Sequence, residues 1–316
     1  MTFSGLVVTE GKYKTSLFKD KDLKQIPNGY CVVKQQFFGL NHSDLQIKNG
    51  TIGLEGSGIV EYVCGESSRK FEKGDKVCYY IKTPLASYEK VILHESGLMK
   101  VTSNTKMELA ACARKFLTAH YLLQKIMSLK KDYWILISGA SGGLGSIMTA
   151  WANNLGLNVI AVVSSDEKKQ YALQNGAKIA INYKKEKTDE IVMEVTNGFG
   201  VLNVYDVLGK DFYLQSLKCL SYFGNYILTG GLTGFPEVNF NELRERSLSI
   251  KFPNIDHYKH IAFENIVGGM EFFEFLSKSN FNPTITSFHI SKFESAAQAL
   301  LNKARVGLVV CSFEES

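Results

Sequence analysis

Tyr133-Trp134-Ile135-Leu136-Ile137-Ser138-Gly139-Ala140-Ser141-Gly142-Gly143-Leu144-Gly145 decides how this chain is read, because an apolar run passes directly into glycines at 139, 142 and 145 and then into a helical pattern. Strand, glycine-spaced turn and helix in that order form a dinucleotide pyrophosphate site. One glycine permits the tight turn, one lets backbone approach the phosphates, and one lets helix and strand pack closely. The helix start behind them offers unpaired N–H groups and the positive end of a dipole, both of which favour an anion. Gly139, Ser141, Gly142, Gly143, Leu144 and Gly145 are therefore the first candidate cofactor contacts. Glycine also serves turns and caps for purely conformational reasons, so the strand before and the strand beyond carry the argument.

Working outward, a helix over Gly143 to Leu155 closes at Gly156, and Asn158 to Val163 reads as a second strand whose apolar run suits burial on two faces. A helix over Asp166 to Asn175, a strand over Lys178 to Asn182, a helix after Thr188, a strand over Leu202 to Asp206, a helix over Asp211 to Cys219 and a strand over Asn225 to Thr229 follow. This alternation predicts an α/β fold with a doubly wound parallel sheet. The first 105 residues differ: short segments such as Tyr30 to Lys34 and Gly58 to Val63 lie between glycine and proline turns, as in a small antiparallel barrel. The amphipathic stretch from Lys106 to Met127 bridges the two. Past residue 250, a helix over Phe263 to Leu276, a strand over Ile285 to Ile290, a helix after Ser291 and a strand over Leu308 to Phe313 are expected to rejoin the first domain. The boundaries read as 1–112 with 252–316 for one domain and 113–251 for the other.

With 316 residues and 45% hydrophobic content, the chain is long enough for two cores. No apolar run approaches a membrane span, and Met1 to Val8 lacks the basic region and cleavage pattern of a secretory signal, so a cytoplasmic location is expected. Cys31, Cys64, Cys78, Cys112, Cys219 and Cys311 form no C-x-x-C pair, which argues against a disulfide framework or zinc ribbon and for small buried apolar residues. A net charge of +5, with the basic cluster Lys184-Lys185-Glu186-Lys187 interrupted by an acid, gives no clustered basic face for nucleic acid.

The cofactor is read at the end of the second strand, where an acidic residue would hold the adenine ribose hydroxyls of NAD. That place reads Val163-Ser164-Ser165, and two small hydroxyl residues leave room for a 2′-phosphate, with Lys168 one turn onward to supply charge. NADPH is favoured. Asp166 is the rival: as a ribose ligand it would imply NAD, whereas its position suggests the cap of the following helix. Ser164 has an alternative reading as an ordinary turn residue.

These residues resemble the zinc-independent medium-chain dehydrogenase/reductases, and within them the quinone oxidoreductases related to zeta-crystallin. Besides the glycine loop, the resemblance is carried by Ile160 to Lys168, Gly176-Ala177 and Ile181-Asn182-Tyr183, by Phe71 to Val77, and by Leu117-Thr118-Ala119-His120-Tyr121. It covers nearly the whole chain and implies a Rossmann domain joined to a GroES-like barrel. It also implies that Ser164, Lys168 and Tyr183 touch the 2′-phosphate, that Thr118, Thr229 and Gly230 lie near the cofactor, and that a basic residue such as Lys303 lies close to the phosphate.

Zinc-dependent members of the wider family carry a cysteine and a histidine where this chain has Asn41 and Leu54, in Gly39-Leu40-Asn41-His42-Ser43-Asp44 and Gly53-Leu54-Glu55-Gly56. An amide and a leucine cannot replace thiolate and imidazole, so no metal is expected, and His42 is expected to line a pocket or hydrogen-bond. The reaction implied is reduction of a quinone or an α,β-unsaturated carbonyl by NADPH, with Asn41 as the hydrogen-bonding contact to the carbonyl oxygen and Asp44 fixing the loop or capping a helix. The segment from Lys48 to Glu55 is shorter than in relatives, and Gln46 stands where they often carry a tyrosine, so tyrosine-assisted proton transfer does not carry over. An enoyl-thioester reductase and a non-catalytic NADPH-binding protein remain as alternatives. By analogy the chain forms a homodimer.

Overall fold

In the computed structural model, which describes residues 2–19, 26–65, 71–258 and 262–314, the chain divides into two units. The first comprises Met1–Leu117, Asp256–Asn280 and Thr284–Ser316, and the second Thr118–Ile255 with Phe281–Pro283. In chain order the elements are β1 (Thr2–Thr9), β2 (Lys12–Lys19), β3 (Tyr30–Gly39), β4 (Gly50–Thr51), β5 (Glu55–Cys64), β6 (Lys76–Tyr80), β7 (Lys90–His94), β8 (Leu98–Lys100), α1 (Met107–Ala110) and α2 (Ala113–His120). Then come β9 (Trp134–Ser138), α3 (Gly143–Asn154), β10 (Asn158–Val163), α4 (Asp166–Gln174), β11 (Ile179–Asn182), α5 (Thr188–Val195), β12 (Val201–Asp206), α6 (Tyr213–Cys219), β13 (Leu220–Leu228), α7 (Phe240–Glu245) and β14 (Ser249–Lys251). The chain ends with α8 (Ile255–Tyr258), α9 (Ala262–Lys278), β15 (Ile285–His289), α10 (Phe293–Leu301) and β16 (Leu308–Ser312).

In the first unit, β15, β16, β3, β5, β6 and β8 lie side by side in one sheet and β7 adds to β3, while β2, β1 and β4 form a second, three-stranded sheet. The chain's last strand returns to its beginning, since β16 runs antiparallel to β3 with Cys311 opposite Phe38. The inward residues Val33, Phe38, Val60, Val77, Tyr79, Val91 and Val309 meet Phe293 and Leu300 of α10 in one core. Burying such a side chain contributes about 1.5–3 kcal/mol. The short segment after Lys48 forms β4, which pairs with β1, and Gly53 then turns the chain straight into β5.

In the second unit, six parallel strands follow the order β11-β10-β9-β12-β13-β14. β9 and β10 are nearly continuous apolar runs, and Leu136, Ile160, Val162, Val204, Tyr226 and Leu228 join a single buried cluster, as two-sided burial demands. The chain fills one side of β9 and then crosses to β12 on the other. That reversal opens a crevice at the carboxyl ends of the strands, where such folds bind ligands. β13 begins at Leu220 rather than near Asn225, because a register irregularity between Val201 and Asn203 and a left-handed Phe223 let the strand start early. Among the described residues, no helix is long and apolar enough to cross a membrane.

Candidate active site and cofactor site

The glycine turn follows the end of β9. Gly139 adopts φ 61°, in the left-handed region, and a Cβ at Gly145 would lie 2.3 Å from the Gly139 carbonyl oxygen, so α3 reaches this turn only because residue 145 lacks a side chain. Gly142 is the N-cap of α3 and supplies no side-chain hydrogen bond. The first-turn N–H groups, those of Gly143, Leu144 and Gly145 among them, are left for a ligand, and Ser141 is buried beside them. This uncapped, close-packed helix start fits a pyrophosphate.

At the end of the neighbouring β10, Lys168 Nζ donates to Ser164 Oγ at 3.3 Å. Ser165, in extended conformation, is the N-cap of α4, its hydroxyl accepting from the Lys168 backbone N–H. This corrects the capping role expected of Asp166, because the serine hydroxyl is short enough to reach the third helical N–H itself. The Asp166 carboxylate instead accepts from Asn182 Nδ2 at 2.8 Å and Lys185 Nζ at 2.6 Å, and Lys185 followed by Asn182 holds its carboxyl below the usual range. Lys169 pairs with Glu186 at 2.8 Å. Tyr183 follows β11, half-buried with its ring 5.8 Å from that of Phe212, and burial, then Asp211, pushes its phenol up. Ser164, Lys168 and Tyr183 thus follow two adjacent strand ends, with Val163 opposite Asn182.

A residue not singled out in the sequence reading organises the other side of the crevice. Asp206, fully buried at the end of β12, accepts from Tyr226 OH at 2.7 Å, Leu208 N–H at 2.8 Å, Gly209 N–H at 3.2 Å and the Ser138 hydroxyl. Its carbonyl receives Thr229 N–H at 2.7 Å and Thr229 Oγ1 at 3.1 Å. Gly230 lies so close that a Cβ there would come 2.9 Å from the Val207 carbonyl oxygen. Val-Tyr-Asp at a strand end was the available signal. Thr118 is half-buried in α2.

In the first unit, Asn41 follows β3. Its Nδ2 donates to Glu55 Oε1 at 2.7 Å and to the Gly39 carbonyl at 3.3 Å, which engages both amide hydrogens. The donor role expected of Asn41 toward a carbonyl oxygen is therefore closed in this arrangement, and Oδ1 is the end left to accept. Turning the amide over would set Oδ1 against a carboxylate. Asp44 does fix the loop, accepting Asn41 N–H at 2.8 Å and Gly53 N–H at 3.2 Å, and burial outweighs those bonds to raise its carboxyl pKa. Glu55, fully buried, also accepts Arg114 N–H at 2.6 Å and Lys115 Nζ at 2.5 Å. Neither Glu55 nor Lys115 was among the expected site residues, since 60 positions separate them and no motif spacing links them. His42 is half-buried, and burial first, then the charges of Arg305 and Lys115, lower its pKa. Lys303 is exposed, while Arg305 bonds the Leu300 and Gly307 carbonyls.

The zinc-binding dehydrogenase family model matches residues 143–259, and the alcohol dehydrogenase GroES-like domain matches residues 27–103. Quinone oxidoreductase 1 of Escherichia coli strain K12 is 33% identical over 239 residues, covering 72% of each chain. The chain belongs to the quinone oxidoreductase family of medium-chain dehydrogenase/reductases. A 2-haloacrylate reductase of Burkholderia sp is 36% identical over 214 residues, which span 66% of this chain and 64% of that relative. The structure of Escherichia coli quinone oxidoreductase complexed with NADPH superposes with a TM-score of 0.89 at 26% identity, covering 98% of this chain and 99% of that one. A catalytic zinc, which the first family's description brings to mind, does not fit here: an amide already donating to Glu55 and a leucine stand at the two ligand positions. Among the described residues no three of His, Cys, Asp and Glu converge.

Proposed function

We propose that this chain is an NADPH-dependent, zinc-independent reductase of quinones or α,β-unsaturated carbonyl compounds. The observation that carries this reading is the Lys168 ammonium on Ser164 Oγ at the end of β10, with Asp166 drawn away to Asn182 and Lys185. A hydroxyl and a cation suit a 2′-phosphate, and the Asp166 carboxylate is turned to other partners. Membership of the quinone oxidoreductase family, and similarity to a 2-haloacrylate reductase, support an electron-poor acceptor.

NADPH, when bound, supplies the hydride. Residues 113–251 would hold it: Gly139, Ser141, Gly142, Gly143, Leu144 and Gly145 at the pyrophosphate, Ser164, Lys168 and Tyr183 at the 2′-phosphate, and Thr118, Thr229 and Gly230 near the nicotinamide. Residues 1–112 and 252–316 would form the acceptor-binding part, with Asn41 in its wall, while Lys303 would serve the cofactor as a basic residue close to the phosphate. The acceptor gains the hydride and its electron pair, negative charge collects on its carbonyl oxygen, and water supplies the proton that completes a two-electron reduction. The work of the chain is orientation and stabilisation of that charge.

Homodimer formation through the sheet edge belongs to the same reading. Three-residue β14 leaves one edge of the parallel sheet unpaired, and Phe235 and Phe252 lie exposed with ring centroids 5.9 Å apart. A cytoplasmic location follows from the same reading.

Fluorescence titration with NADPH and NADH tests the cofactor site. Lys168→Ala should weaken NADPH by roughly ten- to hundredfold, as loss of a charge-assisted hydrogen bond does, and leave NADH nearly unchanged. Equal losses for both would place the phosphate elsewhere. NADPH oxidation with benzoquinone, an enone aldehyde and a crotonyl thioester then tests the acceptor class, and silence across all three would sink the reductase reading.

A further inference from the structure

Glu55 has no exposed surface, and its carboxylate is met by one backbone N–H, one amide and one ammonium. The ammonium is that of Lys115, which also donates to the Leu40 carbonyl at 3.3 Å. An ammonium has three donors, so one is left over. The Lys115 side chain keeps 12% of its surface exposed. Asn41 offers only its oxygen here, and burial, then the charges of Arg305 and Lys115, lower the pKa of His42. Of the cations at this end of β3, the Arg114 guanidinium donates to Ser43 Oγ at 3.3 Å, while Lys115 is anchored by a carboxylate that fixes its position.

Resting on the reductase reading, we propose that Lys115 is a catalytic residue whose ammonium meets the carbonyl oxygen of the acceptor. As hydride adds to the conjugated system, the carbonyl π bond opens and its electron pair settles on oxygen opposite the ammonium, and water then protonates the oxyanion. The acceptor is reduced by two electrons and NADPH is oxidised to NADP+. A preorganised cation there does the electrostatic work that a metal ion does in zinc-dependent dehydrogenases. Glu55 and Asn41 are positioning residues, the first by ion pairing and the second by holding the carboxylate.

The full-length protein is titrated with 4-nitrophenol, whose phenolate absorbs visible light and whose phenol does not, at a pH below the probe's own pKa. Wild type should draw the bound probe into the phenolate form, Lys115→Arg should keep part of that absorbance, and Lys115→Met should abolish it. In parallel, Lys115→Met should lower kcat for benzoquinone by about a hundredfold with little change in KM. Because Lys115→Met leaves Glu55 buried without its cation, Lys115→Met with Glu55→Gln is measured beside it and should lose the phenolate absorbance equally. Phenolate colour that survives in the double variant, or is absent from wild type, overturns the proposal even if quinones are turned over. Phenolate colour that depends on Lys115 without turnover of any acceptor supports the oxyanion site and defeats the reductase reading instead.

Discussion

The two units hold their buried carboxylates in opposite ways. Asp206 accepts only from neutral groups among the described residues, two hydroxyls and two backbone N–H groups, and these tie β9, β12, β13 and the Val207–Gly209 turn together. Glu55 faces a full positive charge at 2.5 Å. A carboxylate surrounded by neutral donors acts as a brace, since each donor would be unsatisfied without it. A carboxylate paired with an ammonium that has a donor to spare holds charge ready for something else. The contrast separates groups that shape a site from groups that act in it.

The largest stability effect is expected at Asp206. Asp206→Ala leaves Tyr226 OH, the Ser138 hydroxyl and two buried N–H groups without their acceptor, and should cost about 4 kcal/mol by urea unfolding. A loss under about 1 kcal/mol would show that water or a neighbour replaces it and that the brace is not one. A smaller effect is expected from the carboxylates beside the phosphate loop. Lys169, then the Asn182 backbone N–H, hold Glu186 below its ordinary 4.5, and Asp166 lies below 3.8 through Lys185 and Asn182. A depressed carboxylate contributes stability that is present above the ordinary value and lost as pH falls through the lowered one. The melting temperature should therefore drop on acidification below pH 4.5, less steeply in Glu186→Gln, and parallel curves would remove these pairs from the account. The smallest effect is reserved for the exposed Lys278 and Glu274 pair, one helical turn apart in α9. Lys278→Ala should change stability by less than about 0.5 kcal/mol, and a larger loss would mean that exposed charge here is worth more than solvent screening allows.

The parallel sheet was legible because each strand from β9 to β12 is a short apolar run ended by glycine or a polar turn, which local pattern captures. The start of β13 was not: Ser221-Tyr222-Phe223-Gly224 reads as a loop, and distant partners hold it, Val201 of β12 opposite Leu220, the Arg246 guanidinium on the Leu220 carbonyl and the Phe223 N–H on the Arg246 carbonyl. In the first unit, fragments of β3 and β5 were visible but their partners were not, because β3 takes β5, β7 and distant β16 as neighbours. The same limit governed the site. Glycine spacing and Ser164 with Lys168 are local signals, whereas the orientation of the Asn41 amide depends on a carboxylate that only the folded sheet brings near.

The place of β16 has a consequence for biosynthesis. It lies between β15 and β3, so the seven-stranded sheet stays incomplete until residues 308–312 have left the ribosome. The parallel sheet, built from a continuous stretch finished far earlier, can close while translation is still under way. The nascent chain would carry a folded nucleotide half beside strands still waiting for their last partner, the interval in which chaperones have the most to protect.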